Sequence, residues 1–199
     1  FVVATDALTV VVNQANTWAA CLTVEQLNVI WGPKSTAKSW KQVDPSFPDV
    51  PLALFGPGEE SGTFDYFTQA VNDKEGASRT DYSASADDED TAAGVAANVG
   101  GMGYFGYSYL DEHKDTGRAV DIDNGAGCVA PSVATAQDGS YAPLSRPLFL
   151  YPDAEQLRDR PEVKAFVEFY VEHHAEIAED AGFVPLNAAQ EEDLQDQLA

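Results

Sequence analysis

The sequence predicts an α/β fold, in which β-strands alternate with α-helices along the chain. The most informative segment is 54–67, where an apolar run stops at a Gly/Pro turn and a helical pattern starts at Ser61-Gly62-Thr63. A chain of 199 residues with 44% hydrophobic content can bury one sizeable core or two small lobes. In folds of this class a ligand crevice forms where strand ends meet helix N-termini.

The other elements follow from local patterns. Apolar β-branched runs predict strands, a capping residue before apolar residues at helical spacing predicts a helix, and proline-rich stretches predict loops or extended chain. In the first half these are a strand at 7–13, a helix capped by Thr23 that stops at Gly32-Pro33, an ordered loop at 34–51 and a strand at 52–55. In the second half they are an acidic N-cap at 85–90, a helix at 91–98, a strand at 100–107, a short strand at 119–122 and an extended segment at 143–151.

The last predicted element is one long helix at 161–180. Pro161 suits a first helical turn, and Gly182 follows the expected end. One apolar stripe runs along it, formed by Val163, Phe166, Val167, Tyr170, Val171 and His174. Each large apolar side chain left in water forgoes about 1.5 to 3 kcal/mol, so we expect another surface to cover this stripe.

The tripeptide Ser61-Gly62-Thr63 has the features of an anion site. A helix N-terminus presents free N–H groups and the positive end of the helix dipole, and Gly62 lets a ligand approach the backbone. The hydroxyls of Ser61 and Thr63 can donate to an oxyanion. The alternative is a plain N-capped helix, for which Ser and Thr are common residues. Neither a Walker loop nor a serine-hydrolase elbow occurs in the chain.

Charge excludes several classes of function. The formal net charge is −22, from 33 Asp and Glu against 11 Lys and Arg, so we expect no nucleic-acid partner and repulsion from anionic membranes. No stretch approaches the roughly 20 apolar residues of a membrane span. The acids are spread over the whole length, a pattern that a halophilic source explains better than an ordinary acidic protein does.

Cys21 and Cys128 are the chain's two cysteines. They form either one bridge that closes a long loop or two buried thiols. Two cysteines without nearby histidines do not make a zinc site, and we predict neither a metal nor a cofactor.

With these landmarks placed, the chain resembles the phosphate-binding components of ABC importers, the periplasmic phosphate-binding protein family. The resemblance rests on several motifs in the same order, namely Asp6 to Asn13, Cys21 to Leu27, Ile30-Trp31, Ser61 to Phe67, Gly101 to Tyr107 and Tyr141 to Phe149. It implies a type II periplasmic-binding-protein-like fold, a mixed sheet flanked by helices in each of two lobes, with phosphate clamped between them. It also implies a disulfide between Cys21 and Cys128.

The resemblance further predicts how the chain is divided. Residues 1–8 correspond to a crossing strand, 9–143 to the second, ligand-binding lobe, and 144–199 to a crossing strand and helices that return to an incomplete first lobe. The family's first-lobe turns have no counterpart here. We therefore expect the chain to begin inside a strand, as a mature or truncated product that lacks roughly 80 to 100 residues of a typical member.

Residue by residue, the resemblance places phosphate contacts at Ser61, Gly62 and Thr63. Some members carry an Arg shortly before the serine, where this chain has Gly56-Pro57-Gly58, so we assign the basic partner to Arg79, whose guanidinium can pair with two phosphate oxygens. The alternative for Arg79 is a surface ion pair with Asp81.

Two further residues are weaker candidates for ligand contact. Glu60 either accepts a proton from monobasic phosphate or, more simply, orders the loop through N–H bonds. Arg146 lies in the crossing segment, where a structural role at the hinge is favoured over contact with the ligand.

The function implied is an extracytoplasmic receptor, in the periplasm or at the cell surface, that presents inorganic phosphate to the membrane subunits of an ABC importer. One alternative is a phosphate-ester hydrolase that uses Ser61 as its nucleophile, although neither His113 nor His173 nor His174 has the context of a base. Another is an adhesion or assembly module built from a binding-protein lobe. We expect no enzymatic activity, and we expect a first-lobe segment or a second copy to cover helix 161–180.

Overall fold

The computed structural model of the chain describes residues 1–112 and 117–198. The strands are β1 Val2–Val12, β2 Cys21–Thr23, β3 Ala53–Gly56, β4 Ser83–Ala84, β5 Gly101–Gly106, β6 Arg118–Ala119, β7 Asp121–Asp123, β8 Cys128–Val129 and β9 Ser145–Phe149. The helices are α1 Val24–Trp31, α2 Trp40–Val43, α3 Gly62–Asn72, α4 Asp88–Ala97, α5 Tyr107–Glu112, α6 Val133–Gln137, α7 Ala154–Asp159, α8 Pro161–Glu172, α9 His174–Asp180 and α10 Ala188–Leu198.

Two sheets organise these elements. The larger has the strand order β4-β3-β5-β1-β6, with β9 also paired to β1, and the smaller has the order β2-β7-β8. In the larger sheet β3 runs parallel to both β4 and β5, while β1 is antiparallel to β5, β6 and β9. The predicted α/β class with a mixed sheet is therefore confirmed.

Strand β1 connects two clusters of buried side chains. Its first half pairs with β9 and its second half with β5 and β6. Val10 and Val12 belong to the main core, whereas Val3 belongs to a smaller cluster with Val167, Val171, Leu186 and Leu194. The division into 1–8, 9–143 and 144–199 stays a prediction.

Aromatic packing fixes α3 to the main core. The Phe67 ring on α3 stacks on Tyr104 of β5, with centroids 3.8 Å apart. Trp31, the last residue of α1, meets both rings edge to face at 5.8 and 5.0 Å. All three side chains are fully buried, so α3 is held against both a helix and the sheet.

Local signals located several elements correctly. Thr23 and Gln26 form a reciprocal capping box at the start of α1, and α3 begins at Gly62 with Ser61 as its N-cap. The short helix α2 inside the predicted loop 34–51 was missed, as were α7 and α10. The strand predicted at 119–122 proves to be two strands, because Val120 hydrogen-bonds to β1 whereas the N–H of Asp121 bonds to Ala20.

Two predicted helices differ from those observed. The helix placed at 91–98 begins at Asp88, with Asp87 as its cap. The single helix at 161–180 was wrong, because the chain leaves helical geometry at His173, which separates α8 from α9. The buried stripe is also narrower than predicted: Val167, Val171 and His174 are buried, while Phe166 is 58% exposed.

A disulfide joins Cys21 of β2 to Cys128 of β8, across the smaller sheet, with a Cα–Cα distance of 5.9 Å. This bond decides between the two alternatives that composition left open for the cysteines. It closes a loop with a sequence separation of 107 residues. None of the described helices is both long enough and apolar enough to cross a membrane.

Exposed aromatic side chains mark α8 as an incompletely covered surface. We expect Phe166→Ser together with Phe169→Ser to lower the fluorescence of a bound hydrophobic dye, because these side chains are 58% and 56% exposed. The free energy of unfolding should change by less than about 1 kcal/mol, since neither ring belongs to the buried stripe. Val29→Ser, which removes an exposed side chain from α1, is the control. Unchanged dye binding in the double variant would show that α8 is not the exposed apolar surface that binds the dye.

Candidate functional site

The turn between β3 and α3 creates an open helix N-terminus. Strand β3 ends at Gly56, the Ser61 N–H closes a turn by donating to the Gly58 carbonyl at 3.1 Å, and the Ser61 hydroxyl accepts from the Thr63 N–H at 3.2 Å. Ser61 is thus an N-cap that keeps its own hydroxyl proton available. Within the described residues, the N–H groups of Gly62 and Phe64 have no hydrogen-bond acceptor.

This first turn faces a cavity of about 650 Å³. Its lining consists of Ser61, Thr63, Ser85, Ala86, Asp87, Asp88 and Tyr109. A methyl group placed on Gly62 would meet no heavy atom within 4 Å, so the space beside this backbone is open. A ligand can therefore reach the free amides directly.

The opposite wall arises from the parallel pairing of β3 with β4. Because parallel strands end at the same edge of a sheet, the segments that follow them lie side by side. Strand β4 leads through Ser85 to Asp87, which caps α4 by accepting from the Glu89 N–H at 2.9 Å. The N-termini of α3 and α4 thus share one crevice, as expected for an α/β fold.

The cavity carries no cationic side chain among its lining residues. Burial, together with the neighbouring Asp87 charge, raises the pKa of Asp88, so Asp88 holds its proton to higher pH than an ordinary aspartate. Burial and the charge of Glu89 likewise raise the pKa of Tyr109. The cavity therefore offers neutral donors, namely amides and hydroxyls, beside two carboxyl groups. This chemistry suits hydrogen bonding to an oxyanion.

The structure does not bring Arg79 to this cavity, and its assignment as an anion ligand is corrected. The side chain is only 4% exposed, and its Nε and Nη2 donate hydrogen bonds to the two carboxylate oxygens of Asp81 at 2.6 and 3.0 Å. Its Nη1 donates to the carbonyls of Ile30 and Ala37, each at 3.0 Å. The guanidinium supplies donors and positive charge to the C-terminus of α1, where such groups are stabilising.

The Arg79 ion pair also fixes the charge state of its partner. Hydrogen bonds from Arg79 and Lys38 hold the pKa of Asp81 well below its usual range. Of the two roles considered for Arg79, the ion pair with Asp81 is the one observed. It differs from the prediction in that the Arg79 side chain is buried and not on the surface.

The other candidates also lie outside the cavity lining. The Glu60 carboxylate lies over Gly58, where a Cβ would come within 2.5 Å of it, and the Glu60 side chain is exposed. Arg146 pairs with Asp6 on the neighbouring strand. Of the histidines, His174 is buried, with Nδ1 2.8 Å from the Val171 carbonyl, and His113 lies outside the described residues.

Most of the lining was not predicted from the sequence, which identified only Ser61 and Thr63. Ser85 and Asp87 lie between β4 and α4, Asp88 begins α4 and Tyr109 lies on α5. These residues meet the α3 turn only through the sheet. The acidic segment 85–90 was recognised solely as a helix start. The segment 85–90 resembles the segment 56–61, because each leads from a strand to a helix N-terminus. If the two strands are taken as parallel neighbours, both segments lie at the same edge of the sheet, and this would have predicted the second wall of the cavity.

Comparison with known proteins identifies relatives over most of the chain. A family model described as a PBP superfamily domain matches residues 1–173. Protein SphX from Synechocystis sp. is 45% identical over 186 residues, which are 92% of this chain and 55% of SphX. The phosphate-binding protein PstS from Staphylococcus saprophyticus is 38% identical over 187 residues, covering 94% of this chain and 57% of PstS. The chain spans just over half the length of these curated relatives.

Solved structures show the same architecture. A possible phosphate binding protein from Planctomyces limnophilus superposes with a TM-score of 0.93 and 42% identity, over 100% of this chain and 70% of that one. An ABC-type phosphate transport receptor from Vibrio cholerae gives a TM-score of 0.73 over 93% of this chain and 71% of that one. Its identity of 24% supports a likeness of fold alone.

The buried position of Arg79 generates a stability prediction. Arg79→Met should lower the free energy of unfolding by about 3 kcal/mol, because it leaves the carbonyls of Ile30 and Ala37 and the Asp81 carboxylate without their donors. Chemical denaturation measures this loss. Arg158→Met is the matched control, since Arg158 is 71% exposed beside Asp159 and should contribute less than about 1 kcal/mol. Equal, small losses in both variants would mean that the Arg79 guanidinium is free to serve a ligand.

Proposed function

The chain belongs to the PBP superfamily, and from this membership we propose that it binds inorganic phosphate as the ligand-binding part of an extracytoplasmic solute-binding protein. The observation that carries the proposal is the open first turn of α3, where Ser61 and Thr63 line a cavity large enough for a phosphate ion and the space beside Gly62 is open. The family resemblance of the sequence implies phosphate contacts at these same positions.

The proposed contacts use neutral groups. Phosphate oxygens would accept hydrogen bonds from the N–H groups of Gly62 and Phe64 and from the hydroxyls of Ser61 and Thr63. The partial positive charge at the N-terminus of α3 favours the anion, and each such charge–dipole contact contributes about 0.3 to 2 kcal/mol. This supports binding without an arginine in the cavity.

We further propose that the protein works outside the cytoplasm and delivers phosphate to the membrane subunits of an ABC importer. The Cys21–Cys128 disulfide is consistent with an oxidising compartment, where such bonds persist. The exposed aromatic side chains of α8 suit contact with a first-lobe segment or a second copy of the chain. Sedimentation of the purified chain distinguishes a self-associating surface from one that awaits a different partner.

The hydrolase alternative lacks a histidine base in the described lining of the cavity, and neither Asp87 nor Asp88 is hydrogen-bonded to Ser61 there. Ser61 has no histidine beside it there, and its hydroxyl serves as a helix cap. We therefore propose a binding role without turnover. Release of nitrophenol from a chromogenic phosphate ester, lost in Ser61→Ala, is the result that would favour the hydrolase.

Gly62→Ala provides the sharpest test of the phosphate site. The added methyl group meets no protein atom within 4 Å, and alanine favours helix over glycine, so the free energy of unfolding should stay level or rise by up to about 1 kcal/mol. The same methyl group would occupy the space that a phosphate oxygen needs. We expect the dissociation constant for phosphate, measured by calorimetry, to rise about tenfold or more.

The matched control for this experiment is Gly106→Ala. A Cβ at Gly106 comes no closer than 3.8 Å to the Ser108 hydroxyl, and Gly106 does not line the cavity. Its phosphate affinity should equal that of the unmodified chain. If Gly62→Ala binds phosphate as tightly as Gly106→Ala does, the first turn of α3 is not the site.

The net charge of −22 gives a prediction about salt. The melting temperature should rise between 0.1 and 2 M KCl, because the Debye length falls from about 10 Å at 0.1 M to about 3 Å at 1 M and repulsion among surface acids weakens. Neutralising Glu192, Asp193 and Asp196 on α10 as amides should make the rise smaller. A melting temperature that stays flat in the unmodified chain would count against adaptation to high salt.

A further inference from the structure

A cluster of three side chains joins the candidate site to the strand pair β1/β9. Asp6 on β1 lies directly opposite Arg146 on β9, and Tyr66 comes from α3. We call these three residues the Asp6–Arg146–Tyr66 cluster. None of the three lines the cavity beside Ser61.

The contacts within the cluster are specific. Nε and Nη2 of Arg146 each lie 3.1 Å from Oδ2 of Asp6. The Arg146 guanidinium carbon lies 4.0 Å from the centroid of the Tyr66 ring, a cation–π distance. The Tyr66 hydroxyl donates to the Pro143 carbonyl at 2.7 Å. Tyr66 therefore touches the segment 143–146 at two points, through its ring and through its hydroxyl.

The cluster holds α3 at the margin of the main core, against which Tyr66 is packed. Phe64, Phe67 and Val71 bury the core-facing stripe of the helix. Tyr66 is only half-buried and follows Gly62 by four residues, so it lies one turn beyond the open amides. The first turns of α3 are thus attached both to the main core and to the strand pair that leads to the smaller cluster around Val167.

An ordinary surface ion pair does not account for this arrangement. The Asp6 side chain is only 13% exposed, and burial raises its pKa while the Arg146 charge acts in the opposite direction. Burial and the nearby Asp6 charge raise the pKa of Tyr66, so its hydroxyl remains a donor. A carboxyl group placed within a strand whose other side chains are mainly apolar is costly unless its partners are fixed.

We propose that the Asp6–Arg146–Tyr66 cluster sets the position of the α3 N-terminus relative to β1 and β9, and so controls how well the open amides fit an oxyanion. Asp6, Arg146 and Tyr66 are assigned as positioning residues, since none of them lines the cavity. This inference rests on the proposed phosphate site. It makes the strand pair part of the binding machinery, because a shift of β9 against β1 moves Arg146 and with it the first turns of α3.

The decisive variant is Asp6→Asn, because two explanations predict opposite signs. If Asp6 influences phosphate only through its negative charge, removing that charge makes binding tighter. If Asp6 orients Arg146 and α3, the variant binds phosphate more weakly. We expect the dissociation constant, measured by calorimetry well below the melting temperature, to rise about tenfold.

Two companion variants separate charge from geometry. Arg146→Lys keeps the positive charge but loses the planar fork and the stacking on Tyr66, so it should also weaken binding. Asp193→Asn removes one exposed negative charge on α10 and should leave the affinity within about twofold. If Asp6→Asn tightens binding, or if Arg146→Lys binds like the unmodified chain, the proposal is overturned.

Hydrogen exchange provides a measurement that needs no ligand. In Asp6→Asn, the amides of Asp65 to Phe67 should exchange faster, while those of α1 keep their protection. Should Asp6→Asn fail to fold, Tyr66→Phe removes only the bond to Pro143 and should show the same effects in smaller measure. If the unmodified chain does not bind inorganic phosphate, the proposed function is wrong. If the exchange rates of the Asp65 to Phe67 amides are the same in Asp6→Asn as in the unmodified chain, the positioning role is wrong, whether or not phosphate binds.

Discussion

The stacking of Phe67 on Tyr104 is the contact on which the rest of the structure depends. It places α3 on β5, and the Trp31 ring closes the same cluster from α1. The Tyr104 ring also lies against the end of β3, where a Cβ on Gly56 would come within 3.0 Å of it. A larger residue at Gly56 would therefore push β3 away from the ring. The close approach brings the carboxyl end of β3, the turn and the first turn of α3 to the edge of the sheet where the cavity opens.

The described lining of the cavity has no cationic side chain, so binding of an anion there would depend on the dipoles of amides, hydroxyls and the α3 helix. Arg79 donates a hydrogen bond to the C-terminus of α1, and Arg146 forms an ion pair with Asp6. In the proposed site, an anion beside Ser61 would meet backbone amides and hydroxyls, with the carboxyl groups of Asp87 and Asp88 nearby, in a protein whose net charge is −22. Neutral donors in fixed positions discriminate by geometry more than by charge. The proposed site would therefore depend on the orientation of a short stretch of α3 more than a site with a flexible lysine would.

Helix starts were predicted correctly where a local signal had one interpretation. The Thr23 capping box and the Ser61 cap each identified a helix start, because the capping oxygen and the N–H group that donates to it are two or three positions apart. The start of α4 was predicted too late in the chain, since several residues in 85–90 are suitable caps and the sequence alone does not single out Asp87. The structural role of Arg79 could not be predicted from the sequence, for a different reason. Its acceptors at Ile30 and Ala37 are 49 and 42 residues away, and nothing in the sequence marks those carbonyls as needing a donor.

Asp6 stands out because it breaks the pattern of its own strand. β1 is buried along nearly its whole length and is otherwise built from apolar residues and threonines. A well-packed hydrophobic residue at a buried ion-pair position is often neutral or stabilising, so stability alone does not explain a carboxylate there. What an apolar side chain cannot do is orient a guanidinium, and Arg146 is the group that reaches from β9 to the Tyr66 ring. Departures from local rules concentrate at functional sites, and in β1 the departure falls at the residue that links the strand pair to the helix bearing the open amides.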